Sequence, residues 1–416
     1  MANLAEIAVN DENLWRLETP GSADWQRSPR PGAANKYFVV SCDAHLGPPP
    51  TLFRDRIDAR FRDRLPRMQR DDKGALWAYM EGSRPVQIHE AALEGEDLYR
   101  NKSGSGSDLN QDTSAVLDKR LSDLDQDGVD AELCFPNGPA LLAYWTKDVE
   151  FSQAQFSIYN DWAMELTRAV SHRMNVAACI STADIDIAIG EIDRVAKMGF
   201  RVLTLPCKPV FGPPNAADIN YNLPVFDPMW AAIQERDMAM TFHVSTGMDP
   251  RAARGNGGAI VNYVVHSMSP TAEPVVNLCA SGVLDRFPKL RFATIEAGCG
   301  WVPWMLHSMD EGYKKHHMWV RPKLKHGLPS EYYREHAFAS FADDPIGMQL
   351  VESSGLENNF VWGNDYPHHE GTFPHSAQAI ERTMSHLRDD TRAKLLGLNA
   401  ARAFKFDIPA RYREEA

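Results

Sequence analysis

The chain has 416 residues, and its 44 basic and 56 acidic residues give a formal net charge of −12. A length of this order fits one large barrel domain or two ordinary domains, and 44% apolar with 24% charged residues excludes wholesale disorder. The acidic balance argues against a nucleic-acid-binding protein. Because no run of about 18 uncharged apolar residues occurs, we expect no membrane-spanning segment.

The two ends of the chain differ from the middle in their amino-acid composition and pattern. Residues 1–36 mix proline, glycine and charged residues and predict an N-terminal arm, while residues 406–416 predict a short C-terminal tail. The arm has no apolar core segment and several acids, so we expect neither a secretory signal nor a transit peptide. Six scattered cysteines without a C-x-x-C pair favour reduced, buried thiols in a cytoplasmic protein.

Between these ends, short apolar runs alternate with longer segments of helical period, which is typical of βα units. Each run is nearly continuous in apolar content, as expected for parallel strands that are covered on both faces. Eight such repeats predict an α/β fold, a (β/α)8 TIM barrel, over residues 37–405. The predicted strands are Tyr37–Cys42, Ala131–Phe135, Asn175–Ile180, Arg201–Leu205, Met238–Phe242, Leu290–Ile295, Ala337–Phe341 and Asn359–Trp362.

Amphipathic segments between these runs predict helices. In one of them Ile185, Ile189, Ile192 and Val195 recur at helical spacing, and Gly199 follows as a stop signal. The same kind of pattern predicts helices over Ser152–Val170, Pro224–Glu235 and Thr391–Phe404.

Two connections are long enough to be lid-like loops. One lies between the first two strands and contains the flexible stretch Lys102–Asp108, and the other runs from Val244 to about Gly258 after the fifth strand. Long loops in compact domains are commonly lids or binding loops, and both loops follow the carboxyl end of a strand, where barrel enzymes place their sites.

Side chains able to bind a metal recur at the carboxyl ends of the predicted strands. Each of these side chains alone could be an ordinary core or surface residue. A barrel, however, brings the carboxyl ends of all its strands to one rim. Three carboxylates there would repel one another unless a cation neutralised them, and carboxylates with imidazoles suit zinc, manganese or iron. The sequence therefore predicts a divalent metal site. Its candidate ligands are Asp43 and His45 on strand one, His243 on strand five, Glu296 on strand six, and Asp365 and His368 after strand eight.

Basic residues near the rim are candidates for binding an anionic substrate. Arg251 and Arg254 lie in the glycine-rich loop after strand five, and Lys208 follows strand four. Solvent exposure is the alternative for all three. Of the two histidines after Pro367, we prefer His368 to His369 as the one that reaches the site.

The segments ASGVLDRFPKLRFATIEAGCGWVPWML (280–306) and FVWGNDYPHHEGTFPHS (360–376) carry a family resemblance. With the ordering of the rim residues, they resemble the amidohydrolase-2 branch of the amidohydrolase superfamily, which includes aminocarboxymuconate-semialdehyde decarboxylase. The resemblance implies that Asp43, His45 and His243 bind metal, and that Asp365 binds metal and handles a proton. Glu296 departs from the family pattern, which often has a histidine on strand six.

The resemblance implies a metal-dependent enzyme that acts on a small organic or aromatic carboxylic acid by hydrolysis or non-oxidative decarboxylation. Asp365, Glu296 and His243 are the expected catalytic residues, with one or two divalent ions as cofactor. The carboxylate-rich ligand set keeps an oxygen-dependent hydroxylase with a dinuclear iron or iron–manganese centre as an alternative. A second alternative is a non-catalytic metal-binding partner subunit. By analogy with the family, we expect a homo- or hetero-oligomer.

Overall fold

The structure, a computed structural model, describes most of the chain. The described residues are 37–81, 85–88, 113–137, 143–146, 148–209, 219–246, 253, 255–316, 323–325, 327–368 and 371–409. The predicted arm and most of the predicted tail lie outside them, as does the stretch Lys102–Asp108. The domain boundaries therefore stay predictions.

Eight parallel strands form one sheet that curves into a barrel, which confirms the predicted fold class. Neighbours in the sheet follow one another in the chain, apart from three short strands inserted after the first. In chain order the barrel strands are β1 (Val40–Leu46), β5 (Ala131–Pro136), β6 (Met174–Cys179), β7 (Val202–Leu205), β8 (Ala239–His243), β9 (Arg291–Ile295), β10 (Ala337–Phe341) and β11 (Phe360–Trp362).

The first strand begins and ends later than the sequence pattern predicted. It continues through Asp43 and His45 to Leu46, and its register with β5 shifts between Ser41 and Ala44. The predicted start of the strand was wrong because Tyr37–Val39 is apolar and buried but does not belong to the strand itself. Backbone hydrogen bonds from His45 N–H to Tyr366 O (2.6 Å) and from Asp365 N–H to Asp43 O (2.8 Å) join β1 to the segment after β11 and close the barrel.

The connection between β1 and β5, predicted to be a lid-like loop, contains regular structure. Strands β2 (Arg67–Arg70), β3 (Leu76–Tyr79) and β4 (Val86–Ile88) form an antiparallel sheet. The helix Thr113–Asp127 then leads into β5. In the loop after β8, the described residues are 244–246, 253 and 255–258.

Helices cover the outside of the barrel, and the four predicted helical segments are confirmed. In Ile185–Met198, Asp184 caps the amino end by accepting from Ile187 N–H (3.0 Å), and Gly199 ends the helix with φ 106°. The described α-helices are Leu52–Arg56, Thr113–Asp127, Val149–Thr167, Ile185–Met198, Asp227–Glu235, Gly258–Val261, Ala272–Ala280, Val283–Arg286, Val302–Lys315, Pro329–His336, Pro345–Leu350, Ser376–Met384, Asp389–Ala393 and Asn399–Phe404, with π-helical segments Asn262–Met268 and Lys394–Leu398. Short 3-10 helices are Ala59–Arg64, Ala143–Trp145, Arg168–Val170, Pro224–Phe226 and Ser269–Thr271.

Apolar side chains pack on both faces of the sheet. One cluster fills the barrel interior, with Val40, Leu133, Val202 and Ile295 among its members, and a larger one lies between the sheet and the helices. All six cysteines are buried and unpaired, as predicted. Among the described helices, none is long and apolar enough to cross a membrane.

Candidate metal centre

The carboxyl ends of β1 and β8 place two histidines and an aspartate at the barrel mouth. Asp43 and His45 are two residues apart in β1, so their side chains leave the strand on the same face. His243 is the last residue of β8. All three are almost fully buried, with 1–3% of their surface exposed.

The ends of β9 and β11 add two more carboxylates, each on a residue with an unusual backbone. Glu296 directly follows β9 with φ 63°, and Asp365 follows β11 with φ 54°. Such left-handed conformations are unfavourable for residues other than glycine and are concentrated at functional sites, where the surrounding structure holds them. Here the backbone turns both carboxylates toward the barrel axis instead of continuing the strand.

Gly363 allows the segment after β11 to approach β1 closely. A Cβ atom at this position would lie 2.5 Å from Asp43 Cβ and 2.7 Å from Asp43 N, distances that real Cβ atoms do not tolerate. The glycine is therefore needed for Asp365 to reach the β1 side chains.

The candidate ligand atoms form two overlapping groups. One contains Asp43, His45, His243 and Glu296; the other contains His45, Glu296, Asp365 and His368. Within each group the ligand atoms lie within 4.8 Å of one another. The structure thus brings together all six residues that the sequence predicted as metal ligands.

The shortest distances run between imidazole nitrogens and carboxylate oxygens. His243 Nε2 lies 3.4 Å from Glu296 Oε2 and 3.5 Å from Asp43 Oδ1. His45 Nε2 lies 3.2 Å from Asp365 Oδ1, and His368 Nδ1 lies 3.0 Å from the same oxygen. The rings of His45 and His368 stack with centroids 3.8 Å apart.

Backbone carbonyls orient both buried imidazoles. His243 Nδ1 lies 2.8 Å from Val244 O, and His45 Nδ1 lies 3.3 Å from Pro136 O. Because a carbonyl only accepts, each Nδ1 carries the hydrogen, and Nε2 points its lone pair into the site when the ring is neutral. This arrangement is common for histidines that bind metals.

Several buried polar atoms at the centre lack a satisfactory partner. Within the described part of the chain, none of them makes a hydrogen bond of acceptable geometry, which is costly for a buried polar atom. A divalent cation would satisfy them together, and oxygen and imidazole ligands suit manganese, iron or zinc. These residues therefore fit a metal ion. The atoms are Asp43 Oδ1, His45 Nε2, His243 Nε2 and Asp365 Oδ1.

In the ion-free protein, protons take the place of the cation. Burial and the charge of His368 oppose protonation of His45, but the nearby carboxylates of Asp365 and Glu296 outweigh them and raise the pKa of His45 to about 9. Burial opposes ionisation of Asp365, but the nearby imidazoles of His368 and His45 outweigh it and lower the pKa of Asp365. Burial is the main cause that raises the pKa of Asp43.

A cavity of about 700 Å³ opens onto the centre. Its lining includes Asp43, Glu296 and Asp365, and also Tyr263 and Phe341. Further lining residues are Met268, Asp343, Asp344 and Arg382. Arg382 Nη2 lies 2.5 Å from Asp343 Oδ2. The cavity thus combines aromatic and apolar walls with a strongly acidic floor.

The acids after β10 and the arginine Arg382 were not predicted from the sequence as site residues. Asp343 and Asp344 follow the seventh barrel strand just as Glu296 follows the sixth, so the rule that located the other rim residues also applies to them. Arg382 lies in the helix Ser376–Met384, and nothing in the sequence pattern marks it as a lining residue.

The described residues do not place any of the predicted substrate-binding residues at the centre. Lys208 is 39% exposed in its side chain and lies 3.6 Å from Glu273, and it is not part of the described cavity lining. Arg251 and Arg254 lie outside the described residues, as does His369. The roles of Lys208, Arg251 and Arg254 stay predictions.

Residues 42–406 match the family model described as amidohydrolase, Amidohydro_2. A curated relative, γ-resorcylate decarboxylase of Rhodococcus jostii (strain RHA1), is 23% identical over 304 residues, which cover 70% of this chain and 88% of the relative.

Solved structures share the fold at low sequence identity. An amidohydrolase of Mycobacterium avium subsp. paratuberculosis superposes with a TM-score of 0.69 at 18% identity, covering 91% of this chain and 100% of its own. The 5-carboxyvanillate decarboxylase of Sphingomonas paucimobilis gives a TM-score of 0.62 at 21% sequence identity, and the match covers 89% of this chain and 99% of that chain. A dihydroxybenzoic acid decarboxylase of Polaromonas sp. JS666 was solved with bound manganese and the inhibitor 2-nitroresorcinol. It gives a TM-score of 0.59 at 16% sequence identity, and the match covers 90% of this chain and 99% of that chain.

Proposed function

Because the chain belongs to the amidohydrolase family, we propose that it is a manganese-dependent decarboxylase of an aromatic carboxylic acid. Family membership confirms the expectation of a metal-dependent hydrolase or carboxy-lyase. The comparisons give no support to the oxygen-dependent hydroxylase or to the non-catalytic subunit. An oligomeric state and a cytoplasmic location stay predictions.

The observation that carries this proposal is the cluster of unsatisfied, buried ligand atoms at the floor of an aromatic-walled cavity. Asp43, His45, His243 and Asp365 would hold the metal. When bound, a divalent cation supplies positive charge that fixes a substrate carboxylate and a neighbouring oxygen. The named relatives that decarboxylate hydroxybenzoates favour decarboxylation over hydrolysis, and three of the similar structures hold manganese.

Asp365 and His368 would manage the proton. In the overall reaction a proton adds to the ring carbon that bears the carboxylate, the carbon–carbon bond breaks, and its electron pair restores the aromatic ring as CO2 leaves. Asp365 Oδ1 lies 3.0 Å from His368 Nδ1, so the pair can hold one proton between them. His368 is 25% exposed in its side chain and connects the buried carboxylate with the solvent side of the site.

Arg382 is the residue of the described lining that we assign to the substrate anion. Its guanidinium pairs with Asp343 and is 41% exposed in its side chain, so it can turn toward a ligand without leaving a buried charge behind. A planar guanidinium binds a carboxylate through two parallel hydrogen bonds.

The proposal is tested by incubating manganese-loaded protein with 2,6-dihydroxybenzoate, γ-resorcylate analogues and 5-carboxyvanillate, and by following CO2 release. In D2O we expect one deuterium at the carbon that carried the carboxylate, and no turnover in Asp365→Asn. Hydrolysis of esters or amides, without CO2 release from any aromatic carboxylate, would replace decarboxylation by hydrolysis at the same site.

A further inference from the structure

The cavity over the metal centre is much larger than one aromatic ring. Its volume is about 700 Å³. A cavity of about 150 Å³ is already enough to bind benzene, so a single-ring benzoate fills only a small part of this space. Unfilled apolar space beside a bound ligand contributes no contacts to its affinity, whereas a further apolar group on the ligand would add them.

The inner part of the cavity is formed by the ends of barrel strands. Phe341 is the last residue of β10, and Ala297 directly follows Glu296. Glu296 N–H donates a hydrogen bond of 2.9 Å to Ser340 Oγ, which holds the ends of β9 and β10 together. Phe341 and Ala297 therefore lie next to the candidate metal ligands, and the ring of a carboxylate bound to the metal would lie against them.

The outer part of the cavity is formed by the π-helical segment Asn262–Met268, which lies outside the barrel sheet. Its hydrogen bonds join residues five positions apart, as from Ser269 N–H to Val264 O. Residues with this spacing therefore lie nearly above one another, which places Tyr263 and Met268 on one face, and both line the cavity. In an α-helix, with about 3.6 residues per turn, the same two side chains would point in different directions. Such π-helical turns are rare and occur frequently at functional sites.

The two side chains on this face keep apolar surface accessible. Tyr263 is 46% exposed, and Met268 is partly buried. The backbone of the segment is held in place, because the Asn262 side chain donates to Ala253 O (3.1 Å) and accepts from Ala253 N–H (2.8 Å). An aromatic ring and a flexible thioether on a fixed backbone suit a flat apolar group better than a polar one.

We infer that the substrate carries a second apolar group, about the size of a phenyl ring, and that this group lies against Tyr263 and Met268. The inference rests on the proposed function, because it takes the substrate carboxylate to be bound at the metal. A ring held by its carboxylate at the floor directs its opposite edge toward the outer part of the cavity. The second group is therefore attached on the side of the ring remote from the carboxylate.

The test compares two ligands that have no carboxylate to lose. They are 2-nitroresorcinol, the inhibitor bound in the Polaromonas structure, and its 5-phenyl derivative, which adds a ring opposite the nitro group. Calorimetry measures the binding of each to the manganese-loaded full chain. Because burial of a phenyl group contributes about 10- to 100-fold in affinity, we expect the derivative to bind more tightly by that factor. Equal or weaker binding of the derivative would overturn the inference, and a second copy of this chain that covers Tyr263 and Met268 would give this result.

A double variant assigns the gain to the two side chains. We expect Tyr263→Ser/Met268→Ser to bind the two ligands with nearly equal affinity, while circular dichroism stays unchanged. Met68→Ser is the matched control, because Met68 is an exposed methionine of β2 and is not part of the described cavity lining. The control should keep the full ratio of the two affinities. A ratio in the double variant equal to that of the control would contradict the assignment.

The apolar subsite and the proposed reaction can fail separately. Tighter binding of the phenyl derivative, without CO2 release from any aromatic carboxylate, would support the subsite and remove the decarboxylase proposal. CO2 release from single-ring hydroxybenzoates, with no gain in affinity from the phenyl group, would do the reverse.

Discussion

Arg120 Nη1 donates a hydrogen bond of 2.7 Å to the backbone carbonyl of His45. Arg120 is 1% exposed, forms an ion pair with the buried Glu132, and lies with its guanidinium 4.9 Å from the ring centroid of Tyr366. The backbone N–H of His45 in turn donates to Tyr366 O. One buried cation thus braces both segments that carry ligands, β1 and the segment after β11.

Replacing Arg120 by methionine should therefore affect both folding and metal binding. It leaves Glu132 buried without a partner, which typically costs about 3–5 kcal/mol of unfolding free energy. We expect that loss in urea unfolding. In Arg120→Met/Glu132→Leu, which removes the unpaired charge, we expect most of the stability to return, while manganese affinity stays about 10- to 100-fold weaker, the usual cost of losing support for a ligand. Wild-type manganese affinity in the double variant, measured by calorimetry, would limit Arg120 to a role in folding.

Gly363→Ala should displace the segment that carries Asp365. The new methyl group would overlap Asp43, and overpacking of this kind costs about 1–3 kcal/mol. We expect a lower unfolding free energy and weaker manganese binding. Gly190→Ala is the control, because nothing lies within 4 Å of its added Cβ and Gly190 is an exposed residue in the middle of the helix Ile185–Met198. There we expect stabilisation of up to about 1 kcal/mol with unchanged metal affinity. Equal metal affinity in the two variants would contradict the argument from close approach.

Arg382→Gln should weaken binding of the substrate anion. A hydrogen bond to a charged group contributes about 1.5–3 kcal/mol, so we expect KM to rise about 10- to 100-fold with a smaller change in kcat. Steady-state kinetics with the best substrate of the panel measures this split. Arg388→Gln, at an exposed arginine that pairs with Glu352, should leave both constants unchanged. A loss of kcat with constant KM would exclude Arg382 as the anion-binding residue.

Manganese binding should strengthen as pH rises toward the pKa of His45. That pKa is raised to about 9 in the ion-free chain, so below this pH a proton occupies the Nε2 lone pair that the metal needs. Each unit of pH below 9 then lowers the affinity by up to about tenfold for this one proton. Calorimetry in two buffers of different ionisation enthalpy measures the proton release. Equal affinities at pH 6.5 and 8.5 without proton release would rule out this competition.

The sequence by itself determined the barrel and the positions of its candidate ligands. Parallel strands covered on both faces are recognisable as apolar runs, and Asp43, His243, Glu296 and Asp365 mark where such runs end. Because a barrel gathers these ends at one rim, topology alone brought the side chains together. Chain order was therefore sufficient to predict which side chains meet at the rim, including the unusual Glu296.

Only the tertiary structure decided what surrounds that set. Arg120 and Arg382 belong to helices, and a helical pattern shows which face is apolar but not which strand or cavity a charged side chain reaches. The need for Gly363 depends on a contact with Asp43, a residue 320 positions earlier in the chain. Likewise, the approach of His45 Nε2 (3.2 Å) and His368 Nδ1 (3.0 Å) to Asp365 Oδ1 depends on tertiary packing that sequence spacing does not contain. These features are pairwise and long-range, whereas the strand pattern is local, and this is why the pattern could be predicted and the pairings could not.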